Sequence, residues 1–343
     1  MRYPKFLGEN GTIGFIAPSF GAFIEPYHTR FESAIAKLSA MGYRTVEGPN
    51  TRCGDGIGIS STPENCGREI NDFFINDKSD IIISCGGGEL MCEDLEYVDF
   101  EAIKKANPKW FIGYSDNTNL TFMLATKCDI ASVYGPCASD FGMNPWHESI
   151  EDAFKLLKGE KLSMHNYDKW EKANSSKEFE FTAPYDVTEK YCQTVWTPTG
   201  DKNVSLAGRL IGGCLDVLAN LSGTRFDCVD EFNERYKEDG IIWYLESCDL
   251  NVFSMRRALW QLKNTGWFKY VKAFLIGRPL KIDDFCGDFG PHDAYLGILK
   301  EFNVPVVMDL DIGHLSPMIP IICGGYAKCE VGENEFSIEY ILK

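Results

Sequence analysis

A serine stands where an apolar stretch of the chain meets a helical pattern. The segment 110–122 predicts a strand, a sharp turn and a helix, with Ser115 at the turn. This puts the hydroxyl at the carboxyl edge of a sheet, beside the free amides and positive dipole end of the helix. Such a serine can attack a carbonyl, because the amide that follows it stabilises the oxyanion. The usual turn has glycine two positions later, where this chain has Asn117, which tolerates left-handed backbone. A helix N-cap is the alternative role for Ser115.

A second turn, at 84–89, also follows an apolar strand. Its three consecutive glycines, from Gly86 to Gly88, let the main chain approach a ligand closely and present backbone N–H groups to an oxyanion. No Lys-Ser or Lys-Thr pair follows the glycines, so the segment does not match a phosphate-binding loop. An oxyanion donor and a plain glycine turn are the two interpretations that remain.

A carboxylate and an imidazole in the second half could complete a catalytic set. Glu246 ends the apolar run 241–245, and a buried carboxylate there needs a partner. A histidine could be the hydrogen-bond partner of this carboxylate, which would in turn orient the imidazole. The alternative is that Glu246 simply reaches solvent at the end of the strand. His314 lies in a loop with Gly313 and Pro317 directly after a predicted strand. The other histidines fall in segments that favour solvated roles: His28, His147, His165 and His292.

The elements that must position these residues alternate between strand and helix over the first 160 positions. Such alternation predicts a parallel sheet with helices on both faces. The predicted strands are 12–17, 43–47, 80–85, 110–114 and 131–134. The predicted helices are 31–41, 68–75 and 100–106, the first ended by Gly42 and the last by Pro108. This half is the predicted N-terminal domain, 1–160.

The rest of the chain divides into a polar stretch and a second domain. Residues 161–200 predict a linker with a long aromatic loop, and long loops of this kind are often functional. Residues 201–343 mix helices with predicted strands at 240–246, 273–277 and 306–309. A hairpin predicted at 329–338 makes this C-terminal domain partly antiparallel.

Composition narrows the possible partners. The chain of 343 residues carries 34 basic and 50 acidic side chains, a formal net charge of −16. That charge repels nucleic acid and anionic lipid surfaces. The N-terminus has no apolar core of a signal peptide, and no stretch reaches the roughly 18 apolar residues of a membrane span. We therefore expect a cytoplasmic protein with neither a nucleic-acid nor a membrane partner.

The thirteen cysteines predict reduced thiols rather than disulfides. Their number is odd, and several lie inside apolar runs, as Cys85 and Cys323 do. No Cys-x-x-Cys pair is present, and no histidine near Cys323 or Cys329 completes a zinc spacing. The sequence predicts no metal site.

The order of these segments resembles the serine peptidase family of LD-carboxypeptidases and microcin C immunity proteins. The matching pieces span most of the chain: Phe-Ile-Ala-Pro-Ser at 15–19, the glycine turn, Asn-Pro-Lys-Trp-Phe-Ile-Gly-Tyr-Ser-Asp at 107–116, Gly-Arg-Leu-Ile-Gly-Gly-Cys-Leu at 208–215, Leu-Glu at 245–246 and Gly-His at 313–314. The run Phe-Ile-Gly-Tyr-Ser-Asp is the most specific of them.

The resemblance implies a fold and a catalytic set. The fold is α/β, with a flavodoxin-like N-terminal parallel-sheet domain and a smaller, mixed α+β, β-rich C-terminal domain. The catalytic triad would be Ser115, Glu246 and His314, with oxyanion amides from Gly88 and Asp116. The resemblance also implies a homodimer and no cofactor.

The resemblance implies a small peptide or peptide-nucleotide substrate. The LD-carboxypeptidase branch usually has Arg-Gly-Gly-Tyr-Gly at the glycine turn, whereas this chain has Cys-Gly-Gly-Gly-Glu at 85–89. The missing arginine and the aromatic loop favour the microcin-type substrate over a muropeptide. Because a flat ring stacks on a purine, Trp170 and Trp196 are candidate nucleoside contacts.

Further candidate substrate contacts are Gly87, Glu89 and Cys214, the last standing where the family often has asparagine. Two other functions stay open at this point. One is an amidase that uses Cys85 or Cys214 as its nucleophile. The other is a binding protein that has lost its chemistry.

Overall fold

The structure is a computed structural model that describes residues 1–54, 58–172 and 180–343. It divides into two compact units. The N-terminal unit contains Met1–Lys161 and Ser175–Tyr185, and the C-terminal unit contains Leu162–Asn174 and Asp186–Lys343.

The N-terminal unit is built on parallel strands. They are β1 Thr12–Ile16, β2 Arg44–Glu47, β3 Ile81–Ser84, β4 Trp110–Gly113 and β5 Ser132–Tyr134. The five strands follow the order β2-β1-β3-β4-β5, and every neighbouring pair is parallel. This is the flavodoxin-like order, and it confirms the predicted fold class. Strands that are buried on both faces need apolar side chains at nearly every position. All four residues of β3 are buried, and three of them are isoleucine.

Helices connect these strands. They are α1 Tyr27–Ala40, α2 Pro63–Ile75, α3 Met91–Asp94, α4 Phe100–Lys105, α5 Thr118–Thr126, α6 Ala138–Phe141 and α7 Glu148–Leu157. Gly42 follows α1 with a φ of +93°, the left-handed conformation that was predicted to end this helix. The second helix begins five residues before the predicted position 68. Thr62 caps it by accepting a hydrogen bond from the backbone N–H of Asn65, and Pro63 occupies its first turn.

The C-terminal unit contains a mixed sheet of eight strands. Its strands are β6 Ser163–His165, β9 Thr194–Trp196, β10 Val204–Cys214, β11 Ile241–Glu246, β12 Val271–Gly277, β13 Val306–Leu310, β15 Tyr326–Gly332 and β16 Glu335–Ile341, with β7 Lys169–Trp170 and β8 Glu189–Lys190 as a separate pair and β14 Ile321–Cys323. The central strands β10 to β13 are parallel, and the flanking pairs are antiparallel. The predicted β-rich, partly antiparallel character and the terminal hairpin are confirmed.

The helices of this unit are α8 Leu215–Leu221, α9 Val229–Tyr236, α10 Val252–Asn264 and α11 Pro291–Leu299. Short strands also occupy the described parts of 161–200, where the sequence pattern predicted a loop. They are too short to show a strand period in the sequence. Among the described residues, none of the helices combines the length and hydropathy that crossing a bilayer requires.

Candidate active site

Ser115 lies at a strained turn between a strand and a helix. After β4, Tyr114 is extended, and Ser115 has a φ of +63° and begins a 3₁₀ turn, Ser115–Asn117, which leads into α5. A positive φ is uncommon and costly for a residue with a side chain, and such strain concentrates at functional sites. The N-cap of the 3₁₀ turn is Tyr114 and that of α5 is Asn117. Capping therefore does not explain Ser115, whereas a nucleophile-bearing turn does.

Hydrogen bonds hold this turn in place. The backbone N–H of Ser115 donates to the hydroxyl of Tyr134 at 3.1 Å. The side-chain amide of Asn117 donates to the carbonyl oxygens of Gly86 at 2.8 Å and Tyr114 at 3.0 Å. Asparagine at this position therefore ties the serine turn to the glycine turn. This bridge accounts for the departure from the usual glycine.

The glycine turn lies directly against the serine. A Cβ added to Gly87 would lie 3.1 Å from the Cβ of Ser115 and 3.3 Å from its Oγ. A Cβ on Gly88 would overlap Ser19 Oγ and lie 2.5 Å from the carbonyl oxygen of Gly58. The Gly88 position therefore requires glycine for close packing of the main chain, whereas a side chain at position 87 would press against Ser115. Glu89, also a candidate substrate contact, is exposed.

The carboxylate of Asp116 joins three loops at the carboxyl edge of the sheet. Its Oδ2 accepts the hydroxyl of Ser19 at 2.5 Å and the backbone N–H of Met91 at 3.0 Å, and its Oδ1 accepts the amide of Asn119 at 2.9 Å. Burial raises the pKa of Asp116, against the effect of these bonds. The sequence predicts a role for the backbone amide of Asp116 only, and the signal for its side chain was the Ala-Pro-Ser motif at 17–19, directly after β1.

Glu246 and His314 form a buried pair in the C-terminal unit. Glu246 ends β11 with its side chain fully buried, and its Oε2 lies 2.8 Å from Nδ1 of His314. Gly313 has a φ of +100°, and a Cβ there would lie 2.5 Å from Glu246 Oε2. Glycine therefore lets the loop approach the carboxylate. Burial lowers the pKa of His314, but the charge of Glu246 and hydrogen bonds to Cys248 and Glu246 outweigh it, so the pKa lies well above its usual value.

The two cysteines considered as nucleophiles are buried. Cys85 and Cys214 are each 2% exposed, and burial raises the pKa of both thiols well above the usual value. The reactive species of a cysteine is the thiolate, which burial disfavours. Cys214 donates to Asp216 Oδ2 at 3.4 Å instead. These surroundings are those of structural cysteines.

The two candidate tryptophans lie in different environments. Trp170 is 7% exposed, and its ring faces the Arg278 guanidinium, whose Cζ lies 4.8 Å from the ring centroid. Its indole N–H donates to the carbonyl oxygen of Lys190 at 3.2 Å. Trp196 is half-buried on β9. Trp170 is therefore engaged within the fold, and Trp196 is the better candidate for stacking.

The structure thus groups the predicted residues within each unit. Ser115, Gly87 and Asp116 lie together in the N-terminal unit, and Glu246 and His314 lie together in the C-terminal unit. Within the described residues, no group of three or more His, Cys, Asp or Glu side chains could hold a metal ion.

Comparison with known proteins relates both halves of the chain to peptidases. The family model for the LD-carboxypeptidase N-terminal domain matches residues 13–135, and the model for the LD-carboxypeptidase C-terminal domain matches residues 207–329. A protein of Vibrio cholerae named as a carboxypeptidase is 28% identical over 99% of this chain and 98% of its own length. The microcin C7 self-immunity protein MccF of Escherichia coli is 27% identical over 97% of this chain and 94% of its own.

A solved structure shares the fold along the full length. The complex of MccF with aspartyl sulfamoyl adenosine superposes with a TM-score of 0.80 at 24% identity, covering 100% of both chains.

Proposed function

This chain belongs to the LD-carboxypeptidase family of peptidases, and we propose that it is a serine peptidase with Ser115 as its nucleophile. The observation that carries the proposal is the φ of +63° at Ser115, at the end of a parallel strand and against a glycine turn. Strain of this kind exposes a serine hydroxyl above the edge of a sheet in serine hydrolases.

The proposed chemistry is acyl transfer to serine and then to water. His314 accepts the hydroxyl proton of Ser115 as the oxygen attacks the carbonyl carbon of the scissile amide, and then donates this proton to the departing nitrogen. Water next attacks the acyl ester, with the same proton transfers, and releases a carboxylate. Glu246, fully buried and 2.8 Å from the Nδ1 of His314, stabilises the imidazolium in both steps.

Two backbone amides are proposed to stabilise the tetrahedral intermediates. They belong to Gly88 and Asp116, which lie in the two turns that meet at Ser115. The side chain of Asp116, anchored to Ser19 and Met91, fixes the second amide. Fixed amides of this type need no reorganisation as charge develops on the substrate oxygen.

The proposed substrate is a peptide joined to a nucleotide. Support comes from the 27% identity with the microcin C7 self-immunity protein and from the fold shared with its aspartyl sulfamoyl adenosine complex. Trp196 is the candidate ring for stacking on the base. The muropeptide alternative draws support from the Vibrio cholerae relative named as a carboxypeptidase.

We also propose a cytoplasmic location. None of the thirteen cysteines forms a disulfide in the part of the chain that the structure describes, and seven of them are buried. Buried cysteines without disulfides suit a reducing compartment. The homodimer implied by the family resemblance stays a prediction.

The test is hydrolysis of two defined substrates. Purified protein is incubated with aspartyl sulfamoyl adenosine or with a tetrapeptide muropeptide, and products are identified by mass. We expect release of aspartate from the first substrate by the wild type and none by Ser115→Ala. Cleavage of the muropeptide alone would replace the substrate assignment, and full activity of Ser115→Ala would overturn the mechanism.

A further inference from the structure

We propose that Asp311 is a positioning residue that holds the loop carrying His314 against the segment 167–171, which we call the strap. The inference deepens the proposed function and rests on it, because His314 is the proposed general base. It assigns a role to part of the aromatic stretch 161–200, which the triad does not use. All the residues involved lie in the C-terminal unit.

Three neighbouring parallel strands of this unit end in charged residues. Glu246 is the last residue of β11, and Arg278 and Asp311 directly follow β12 and β13. The carboxyl ends of neighbouring parallel strands meet at one edge of a sheet, where α/β proteins place their sites. Asp311 is three residues before His314, so the histidine loop starts at this edge.

A buried ion pair holds Asp311. Its Oδ1 accepts a hydrogen bond from Nη2 of Arg278, whose Nη1 donates to the carbonyl oxygen of Asp309 at 2.7 Å. The side chains of Arg278 and Asp311 are 2% and 0% exposed. A buried carboxylate without a partner is costly, and pairing with a guanidinium offsets that cost. Asp311 is therefore held in one place within the fold.

The strap binds the histidine loop on both sides of His314. Oδ2 of Asp311 accepts the backbone N–H of Tyr167 at 2.8 Å. The carbonyl oxygen of Ser316 accepts the backbone N–H of Glu171 at 2.7 Å. His314 lies between these anchors, three residues after the first and two residues before the second. Two points of attachment around a single residue leave its backbone little freedom.

The ion pair also supports the strap itself. The Cζ of Arg278 lies 4.8 Å from the centroid of the Trp170 ring, a distance at which a cation and an aromatic ring attract each other. The carboxylate of Asp311 thus joins two parts of the chain to the histidine loop. One oxygen binds Arg278 after β12, and the other binds the strap.

The histidine loop is closed on itself and packs against β12. The backbone N–H of Ile319 donates to the carbonyl oxygen of Asp311 at 2.7 Å. A Cβ added to Gly277 would lie 2.0 Å from the carbonyl oxygen of Ile312, so the loop lies directly against the end of this strand. These contacts fix His314 for proton transfer, which needs an aligned acceptor. A misplacement of about 1 Å can cost about 10²-fold in rate.

The first experiment compares two carboxylates of the same unit. Asp311→Ala removes the anchor and is expected to lower kcat by about 10²-fold, while KM changes by less than about threefold. Asp239→Ala is the control, because Asp239 also pairs with a buried arginine, Arg209, but precedes β11 at the end opposite to Glu246. The control should lower the melting temperature and leave kcat within about twofold. Equal losses of kcat in the two variants would overturn the inference.

Two double variants separate positioning from stability. Arg278→Met with Asp311→Leu and Arg278→Met with Asp311→Asn both remove the buried charges, so both should fold with similar melting temperatures. Only asparagine keeps an oxygen that accepts the N–H of Tyr167. We expect the asparagine variant to keep kcat within about tenfold of the wild type and the leucine variant to lose about 10²-fold. Equal kcat in the two double variants would contradict the anchoring role.

A readout without turnover separates this inference from the proposed function. In a Ser115→Ala background, NMR detects the proton that Nδ1 of His314 donates to Glu246. We expect this signal to persist in Asp239→Ala and to shift or broaden in Asp311→Ala, whichever residue is the nucleophile. A signal that Asp311→Ala leaves unchanged would refute the inference, even if Ser115 proves essential. Absence of hydrolysis by the wild type would count against the proposed function alone.

Discussion

The serine and the histidine of the proposed site are held by different physical means. Around Ser115 the main chain does the positioning, through a positive φ at Ser115 and through Gly88, where an added Cβ would overlap its neighbours. Around His314 charge does it, through a fully buried Glu246 carboxylate at 2.8 Å. Activity should therefore be lost at the serine turn when a side chain is added to a glycine, and at the histidine when the charge of Glu246 is removed.

The largest effect is expected from removing charge beside the histidine. Glu246→Gln keeps the size of the side chain but neutralises it, so the imidazolium loses its partner and the pKa of His314 falls. We expect kcat to fall by about 10⁴, as for loss of the carboxylate in other triads. Steady-state kinetics across pH measures this, and the remaining activity should have its acid limb at lower pH.

A second histidine and carboxylate pair in the same unit is the control. His292 Nε2 lies 2.9 Å from both oxygens of Asp309, but the His292 side chain is 47% exposed. His292→Gln should leave kcat within about twofold, because exposed pairs contribute little. If both variants lost activity equally, the loss would reflect general destabilisation rather than catalysis.

The next effect comes from adding one methyl group beside the serine. In Gly88→Ala the new Cβ would overlap Ser19 Oγ and crowd the Gly58 carbonyl, so the turn must shift. Displacing one oxyanion donor costs about 10² to 10³ in kcat. In Gly86→Ala the nearest atoms are 3.4 and 3.7 Å away, so the loss should stay below about tenfold. Equal losses in the two variants would refute the backbone account.

Replacing Trp196, the candidate ring for stacking on the base, is expected to have a smaller effect, which is confined to KM. Trp196→Ala should raise KM for aspartyl sulfamoyl adenosine by about tenfold, given roughly 1–3 kcal/mol for stacking on a base. Trp170→Phe is the control, because Trp170 contacts Arg278 and Lys190 within the fold. That variant should lower the melting temperature and leave KM unchanged. If KM rose in Trp170→Phe and not in Trp196→Ala, Trp170 would be the stacking residue and Trp196 would have the structural role.

The smallest effect concerns stability near the serine turn. Asp94 is fully buried, and neither of its oxygens has a hydrogen-bond partner in the part of the chain that the structure describes. Burial, with the nearby Asp116 and Glu93 carboxylates, raises the pKa of Asp94 to about 9. In the unfolded chain an aspartate titrates near pH 4. The folded protein therefore holds an extra proton between these values, and stability falls as pH rises through that window.

Asp94→Asn should remove this penalty. The amide is neutral at every pH, so the variant should gain at least about 1 kcal/mol at pH 8, or roughly 2–4 °C in Tm. The difference from the wild type should shrink towards pH 4. Thermal unfolding at several pH values measures it, and a parallel pH dependence of the two proteins would mean that Asp94 is ionised in the fold.

Elements with long apolar patterns were predictable from the sequence. Buried parallel strands read as apolar runs, and Ile81–Ser84 and Trp110–Gly113 were predicted to within one residue at each end. The start of α2 was missed because its signal is the Thr62 cap and Pro63 rather than the apolar pattern used for 68–75. The strands Lys169–Trp170 and Glu189–Lys190 are too short for any periodicity to be read.

Contacts between distant residues explain what the sequence could not predict about the site. The bond between Ser19 and Asp116 joins positions 97 apart, and that between Arg278 and Asp311 joins positions 33 apart. The spacing of residues along the chain does not indicate which distant residues come into contact. Ser115 and Glu246 could be singled out because each is a polar residue at or just after the end of an apolar strand, and His314 because it lies in a loop with Gly313 and Pro317 after a strand.

Covalent labelling tests the central proposal most directly. The protein is treated with a fluorophosphonate, digested, and the modified peptide identified by mass. We predict a single adduct on Ser115 that forms in parallel with loss of hydrolysis and is missing from Ser115→Ala. An adduct on a cysteine or on another serine, with hydrolysis lost at the same rate, would contradict the assignment.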